Sequence, residues 1–364
     1  MRTVKIITTV CWVITALVLA GLALWFLTGS LFGIRLNGTN SGFSFGIGFN
    51  GLESLTGPYE EAGTYSIPSN DVKSLDADWV SGAITIVPYD GADIKLIEYA
   101  QRELQDNEKV SFEISGSTLK INYLEKQNWV LLVNKKLEIF MPIDLCENIN
   151  SLTVDSASAD IRVDNIASSD INLESVSGAI TLSNTITGRL SSDSASGSVN
   201  FTTVSADNIR ANTVSGDIRM TDCVAKTVKC DATSGTVRLS GSFEEASINT
   251  ISGNSILDNA YSNSSINADS TSGDIELSGS FHSVDVDTMS GKITVVSAVV
   301  PGDFNTESIS GNITVRLPNE GTVSVNHSST SGKLSNEIPI TIVNRGNAQL
   351  RFSTISGDVK ILEL

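Results

Sequence analysis

Ser177-Gly-Ala-Ile-Thr-Leu182, Ser196-Gly-Ser-Val-Asn-Phe201, Ser215-Gly-Asp-Ile-Arg-Met220 and Ser234-Gly-Thr-Val-Arg-Leu239 are one motif repeated at intervals of 19 residues. The series runs on through Gly253, Gly273, Gly291, Gly311, Gly332 and Gly357, at intervals of 18, 20, 18, 20, 21 and 25. Ala159-Asp160 and Ser81-Gly82 stand in the same context upstream. A near-constant period with one turn marker per unit is the signature of a solenoid, because each unit can bury its apolar face only against its neighbours.

Alternate residues of a strand face the same way, so alignment on the glycines sorts the side chains into columns. Two residues after glycine stand Ile180, Val199, Ile218, Val237, Ile275, Ile293 and Ile313; two further on stand Leu182, Phe201, Met220, Leu239, Leu277, Val295 and Val315. Between them lie Thr181, Asn200, Arg219 and Arg238, which must face solvent. Seven before glycine come Ile171, Leu190, Ile209 and Val228. A fourth inward column is expected eight after glycine, at Ile186, Val224, Phe243, Tyr261, Phe281 and Val299. In the copy at Gly253, Ser255 stands where an apolar residue belongs, which predicts a bulge there. The fold class read from this pattern is all-β: a parallel β-solenoid of ~19-residue coils over residues 151–364, stacked ~4.8 Å apart, wound right-handed, with a positive-φ glycine at each Ser-Gly corner.

Upstream, residues 58–150 form a smaller β-rich region. Its alternating runs are Ala83–Val87, Ile94–Ile97, Val110–Ile114, Leu119–Tyr123 and Leu137–Met141, with Pro88 and Pro142 expected to end two of them and helix only around Tyr99 to Asp106. Residues 29–57 read as a Gly-rich linker, and Gly46-Ile-Gly48-Phe-Asn-Gly51 within it lacks the strand and helix that a dinucleotide site needs. Residues 6–28 hold an uncharged apolar run long enough to cross a hydrocarbon core of ~30 Å. Arg2 and Lys5 precede it, so 1–5 is expected to be a short cytoplasmic tail and the bulk of the chain extracytoplasmic, a single-pass protein held in the cytoplasmic membrane through 6–28. The rival is a cleaved signal peptide, for which the run is too long.

The 364 residues carry a formal charge of −17, and the only charges before Glu53 are Arg2, Lys5 and Arg35. The remainder is thus more acidic still, which argues against a nucleic-acid partner. Four cysteines and two histidines make neither a disulfide framework nor a metal centre, and no cofactor is expected.

Leu137-Glu-Ile-Phe-Met-Pro142 leading into Ser151-Leu-Thr-Val-Asp155, followed by the repeated Ser-Gly-x-Ile-x-Val, resembles the bacterial putative adhesin family of unknown function, which is related to head-GIN adhesin domains. The resemblance covers residues 72 to 364 and implies a membrane-anchored β-solenoid for adhesion or cell-envelope interaction, with an envelope protein or a glycan as partner. It also implies an alternative, an accessory protein of an envelope-stress sensing system. A glycan-cleaving β-helix would need acids and bases gathered at one groove. The charges here spread down columns, so no catalytic residue is expected.

One outward column invites chemistry. Four before each glycine lie Glu174, Asp193, Asn212, Asp231, Asn249, Asp269, Asp287 and Glu307. Such a ladder would hold divalent cations or a basic peptide, or serve as a solubilising stripe; the stripe is the expectation, since the calcium nonapeptide G-G-x-G-x-D is missing and charged columns are usually solvated. On that reading no residue is a metal ligand. His327 is expected inward with Thr306, Phe352 and Cys230; Cys146, Cys223 and Cys230 are expected to be unbonded, and Trp79 and Trp129 to be core residues.

Overall fold

The computed structural model describes residues 58–124, 133–343 and 349–364. The expected membrane segment 6–28, the linker 29–57 and Trp129 lie outside the described residues. Among those described, no helix is long and apolar enough to cross a membrane.

The chain enters as β1 (Glu60–Pro68), β2 (Ser74–Trp79), β3 (Gly82–Tyr89) and β4 (Asp93–Ala100), followed by β5 (Ser111–Ser115), β6 (Thr118–Asn122) and β7 (Lys135–Pro142). A short helix α1 (Ile143–Cys146) then leads to β8 (Ile149–Ser156) and β9 (Asp160–Asp164). In this region β1 pairs antiparallel with β4, β4 with β7, and β5 with β6. By contrast β2 and β3 pair parallel with β8 and β9, so residues 58–150 cap the solenoid and share its sheet and core. The expected helix at Tyr99 to Asp106 is absent; a single 3-10 turn occupies Asp106–Glu108. Pro88 does not end its strand: it pairs with Met141, while β9 accompanies β3 only as far as Ile86, so the missing N–H costs no ladder bond. Pro142 does end β7.

Beyond it stand β10 (Ala167–Ser175), β11 (Ile180–Ser194), β12 (Val199–Thr213), β13 (Ile218–Ala232), β14 (Val237–Thr250), β15 (Ser255–Ser270) and β16 (Ile275–Ser290). Each pairs parallel with the next, one repeat apart, and Ile180 stands over Val199, Ile218 and Val237 as the columns require. All four of these are fully buried.

Two features differ from the pattern. Positive φ is kept at the corner glycines Gly82 (φ 89), Gly311 (φ 155) and Gly357 (φ 152), whereas along the middle of the solenoid the corner glycines serve by close approach. Gly197, Gly216 and Gly235 do not have positive φ, but a Cβ on Gly235 would fall 1.7 Å from the carbonyl oxygen of Gly216 in the coil beneath, and one on Gly216 2.0 Å from that of Gly197. Among the described residues, left-handed backbone at non-glycine positions falls at the other corner, at Asn165 (φ 56), Asn184 (φ 49), Thr203 (φ 55) and Asp222 (φ 52). That residue flips the phase of the strand. Val204 and Cys223 therefore point inward, Thr187, Ala206 and Ala225 follow inward, and the intervening Ile186 and Val224 are turned out at 64% and 51% exposure. The fourth inward column is corrected accordingly. Tyr261 and Val299 are also exposed, while Phe243 pairs with Ala225 in the true inward column and is buried, as is Phe281.

Thr203 is exposed and β-branched at an angle that suits asparagine or glycine. Thr203→Asn, which repeats the residue found at Asn165 and Asn184, should raise stability by about 1 kcal/mol, read from denaturant midpoints.

The bulge expected at Ser255 is likewise displaced. Ser255 stays in register with Val237 and is fully buried, its hydroxyl 3.4 Å from Thr250 Oγ1. Irregular register falls further on, between Asp258 and Ser265. There buried Asn259 accepts the Phe243 N–H at 2.9 Å through Oδ1 and donates Nδ2 to the Phe243 carbonyl at 2.9 Å, standing in for a strand.

The last coils exchange order. β17 (Ile293–Ser297), β18 (Asp303–Ser310) and β19 (Ile313–Leu317) are followed in sequence by β20 (Val323–Ser329), β21 (Leu334–Asn336), β22 (Ile340–Ile342), β23 (Leu350–Ser356) and β24 (Val359–Glu363). In space β23 lies between β18 and β20, and β24 between β19 and β21. The final coil is inserted beneath the one before it, with Leu350, Phe352, Val359 and Ile361 in the core.

Candidate functional site

The column four before each corner glycine is a continuous ladder. Glu174 pairs with Asp193, Asp193 with Asn212, Asn212 with Asp231, Asp231 with Asn249, Asn249 with Asp269, Asp269 with Asp287, and Asp287 with Glu307. It extends upstream through Asp155 to Asp78, both four residues before a corner, so the same count along the sequence already contained them. Glu174 and Glu307 are exposed; Asp193, Asp269 and Asp287 are half-buried and Asp231 is buried at 8% exposure. Interleaved amides relieve part of the repulsion: Asn212 Nδ2 donates to Asp193 Oδ1 and Asn249 Nδ2 to Asp231 Oδ1, each at 2.6 Å. Lys229 Nζ adds a cation 3.7 Å from Asp231.

Where amides are lacking, protons take their place. Burial, reinforced by Glu174, Asp78 and Asp76, pushes the Asp155 carboxyl up to about 7. Burial, with Glu307, Asp269 and Asp285, pushes Asp287 up to about 7, and burial with Asp285 pushes Asp269 to about 6. A folded-state pKa above the unfolded value means that the native state holds protons which the unfolded chain has released. The resulting stability is present at acidic pH and is lost as pH rises through ~6–7. Raising pH from 5.5 to 8 should therefore cost about 2 kcal/mol after allowance for solvent screening, seen as a lower melting temperature. The Asp155→Asn, Asp287→Asn double variant should flatten that slope.

At the N-terminal end, Asp76, Asp78 and Asp155 each place a carboxylate oxygen within 4.8 Å of the others. An all-oxygen set of this kind suits a hard cation such as calcium or magnesium, although calcium takes about six to eight oxygens and this trio offers a minority of them.

A second feature lies at the other corner. The phase flip there leaves an open groove of about 650 Å³ across several coils, walled at one end by Glu147, Asn148 and Ile149 and floored by Ile186, Val224 and Tyr261. Column arithmetic had placed those three inside.

Of the remaining candidates, Trp79, Cys146, Cys223 and Cys230 are core residues. Trp79 is buried. Cys146, Cys223 and Cys230 are buried and unbonded, with burial pushing the thiols of Cys146 and Cys223 up, to about 12 for Cys146. His327 pairs with Phe352 and is half-buried, and burial lowers its pKa.

No curated protein matches the chain. Among solved structures, a protein of Parabacteroides distasonis described as a putative adhesin aligns over 84% of this chain and 98% of its own, at 11% identity and TM-score 0.38. A second P. distasonis structure, described as a putative lipid binding protein, aligns over 82% and 96% at 16% identity and TM-score 0.37. One from Parabacteroides merdae, again described as a putative adhesin, aligns over 81% and 95% at 11% identity and TM-score 0.29. The Toastrack DUF4097 family matches residues 72–241 and 202–362, which together span the capped solenoid from its first coil to its last, and the chain belongs to that family.

Proposed function

We propose that the protein is a non-enzymatic module of the cell envelope, held in the cytoplasmic membrane by residues 6–28 and working through surface contact with another envelope component or a neighbouring cell. The observation that carries this reading is the groove at the second corner. Ile186, Val224 and Tyr261 are exposed in spite of being large and apolar, and they line one groove from alternate coils, β11, β13 and β15, with Ser205 and Ser242 on the coils between. An exposed apolar patch rimmed by polar groups marks a contact surface. Asp207, Lys226 and Glu244 rim this one.

Two measurements test the reading. Protease added outside intact protoplasts should degrade the solenoid; complete protection would place it on the wrong side of the membrane. The variant Ile186→Ser, Val224→Ser, Tyr261→Ser should keep the wild-type melting temperature, because these side chains are already in water, and should lose retention on isolated envelopes. Release of reducing ends from envelope polysaccharide by the purified chain would instead support the glycan-cleaving alternative.

A further inference from the structure

Beside the acid ladder runs an apolar ridge. The residue two before each corner glycine points outward, and the backbone keeps the column in register: Ser196 N–H donates to the Val176 carbonyl at 2.9 Å, Ser234 to Val214 at 2.9 Å, Ser272 to Ile251 at 2.9 Å and Ser331 to Ile355 at 3.1 Å. The ridge is most apolar near the C-terminal end. There Met289 is half-buried, Ile309 is 39% exposed and Ile355 is 54% exposed. These three occupy successive coils, since Ser290 pairs with Ser310 and Ser310 with Ser356. Two residues back along the strands lie Asp287 beside Met289, Glu307 beside Ile309 and Ser353 beside Ile355, with Asp269 beside Thr271 on the preceding coil, so the ladder has acids on three adjacent coils without an intervening amide and is set one coil toward the N-terminal end of the ridge.

We propose that this strip docks a basic amphipathic α-helix of a partner protein, laid along the solenoid axis with its apolar stripe on Met289, Ile309 and Ile355 and a Lys/Arg flank on Asp269, Asp287 and Glu307. The spacings agree. Coils repeat every ~4.8 Å, and residues three or four apart on a helix advance ~4.5–6 Å, so one helix stripe meets successive coils. Ridge and ladder are ~7 Å apart, two residues along a strand, within the ~10–12 Å width of a helix.

Charge selects the occupant. A second copy of this chain, net −17, would bring one acid ladder against another, and an anionic membrane would be repelled likewise. A basic flank is attracted and covers the apolar ridge at the same time. Among the cations of the neighbouring column, Arg351 is engaged with Asp303 at 2.8 Å and Lys229 lies beside Asp231, two coils before Asp269, so the C-terminal stretch keeps its negative field once Asp269 and Asp287 have released their protons, above about pH 7. The proposal deepens the envelope reading above by naming a partner's chemistry, and rests on that reading only for where the partner is met.

The test uses the full chain in zwitterionic nanodiscs, with empty nanodiscs as control, and a fluorescent 18-residue Leu/Lys amphipathic helix as probe. Its Leu/Glu counterpart is the charge control. Saturable anisotropy binding of the Leu/Lys helix is expected at pH 8, where Asp269 and Asp287 are ionised, weakened at least tenfold by Asp269→Asn, Asp287→Asn, Glu307→Gln and at least tenfold by Ile309→Ser, Ile355→Ser. Each variant should keep a cooperative melt. Equal binding of the Leu/Glu helix, unchanged affinity in both variants, or self-association of the chain that the Ile309→Ser, Ile355→Ser variant abolishes would each overturn the proposal. If the probe binds as expected while protoplast proteolysis finds the solenoid protected, the envelope reading falls and the docking surface stands.

Discussion

Gly235→Ala should destabilise the protein by about 3 kcal/mol or more, a large effect for the addition of one methyl group. The new Cβ would sit 1.7 Å from the Gly216 carbonyl oxygen and 2.5 Å from its carbon, and both belong to backbone that is itself stacked on Gly197. A flexible side chain could move aside; a stacked corner cannot, because opening one interface breaks the parallel ladder on both strands of the coil. In a repeat protein each coil draws its stability from its neighbours, so the loss is not shared out along the array. Gly116→Ala separates this effect from backbone strain. Gly116 lies at φ 65 with nothing within 4 Å of its would-be Cβ, and alanine there should cost only about 1 kcal/mol. Denaturant melts of the two variants compare close approach with left-handed geometry in one protein. Equal losses would mean that the stacked glycines matter for φ after all.

Lys135→Met should cost about 3–5 kcal/mol, by stranding a charge rather than by losing a contact. Lys135 and Glu98 are both fully buried in the cap, with Nζ 2.7 Å from Glu98 Oε1. The same ammonium donates to the carbonyls of Glu108 at 2.7 Å and Tyr123 at 2.5 Å, and lies over the Tyr123 ring at 4.2 Å and the Trp79 ring at 5.1 Å. Burial lowers its pKa, with Glu98 opposing. Methionine would fill the space but leave Glu98 as a lone carboxylate and two carbonyls without a donor. Adding Glu98→Leu should recover a good part of the loss, since a buried pair is often replaceable by apolar groups whereas half a pair is not. A double variant no more stable than Lys135→Met alone would show that the cap depends on Lys135 for its backbone and aromatic contacts instead.

Much of this architecture was legible because period and alternation are properties of the chain itself. Nineteen-residue spacing brought Ile180, Val199, Ile218 and Val237 into one buried column, and the same arithmetic aligned Glu174, Asp193, Asp231, Asp269, Asp287 and Glu307. The apolar ridge was present in the same alignment, as the residue before each Ser-Gly. Its outward direction was not apparent until the strand carrying it had been placed. Counting failed where a single left-handed residue reversed the phase. Asn184 and Asp222 turn Ile186 and Val224 from core into groove floor, and Thr203 does the same in its coil without any of the residue types that announce such a turn.

By itself the sequence determined the coil, its register and its inward face, since these follow from side-chain chemistry repeated at a constant interval. Tertiary structure alone decided what lies next to what beyond that repeat. Lys135 meets Glu98 only because β4 runs antiparallel to β7, and Asp76 and Asp78 meet Asp155 only because β2 stacks on β8. The exchange of the last two coils is of the same kind. Their inward residues, Val325 and Leu334 in one and Leu350 and Val359 in the other, are interchangeable apolar groups, so either coil can cover β18 and β19. The choice falls to total packing, which no local pattern of alternation encodes.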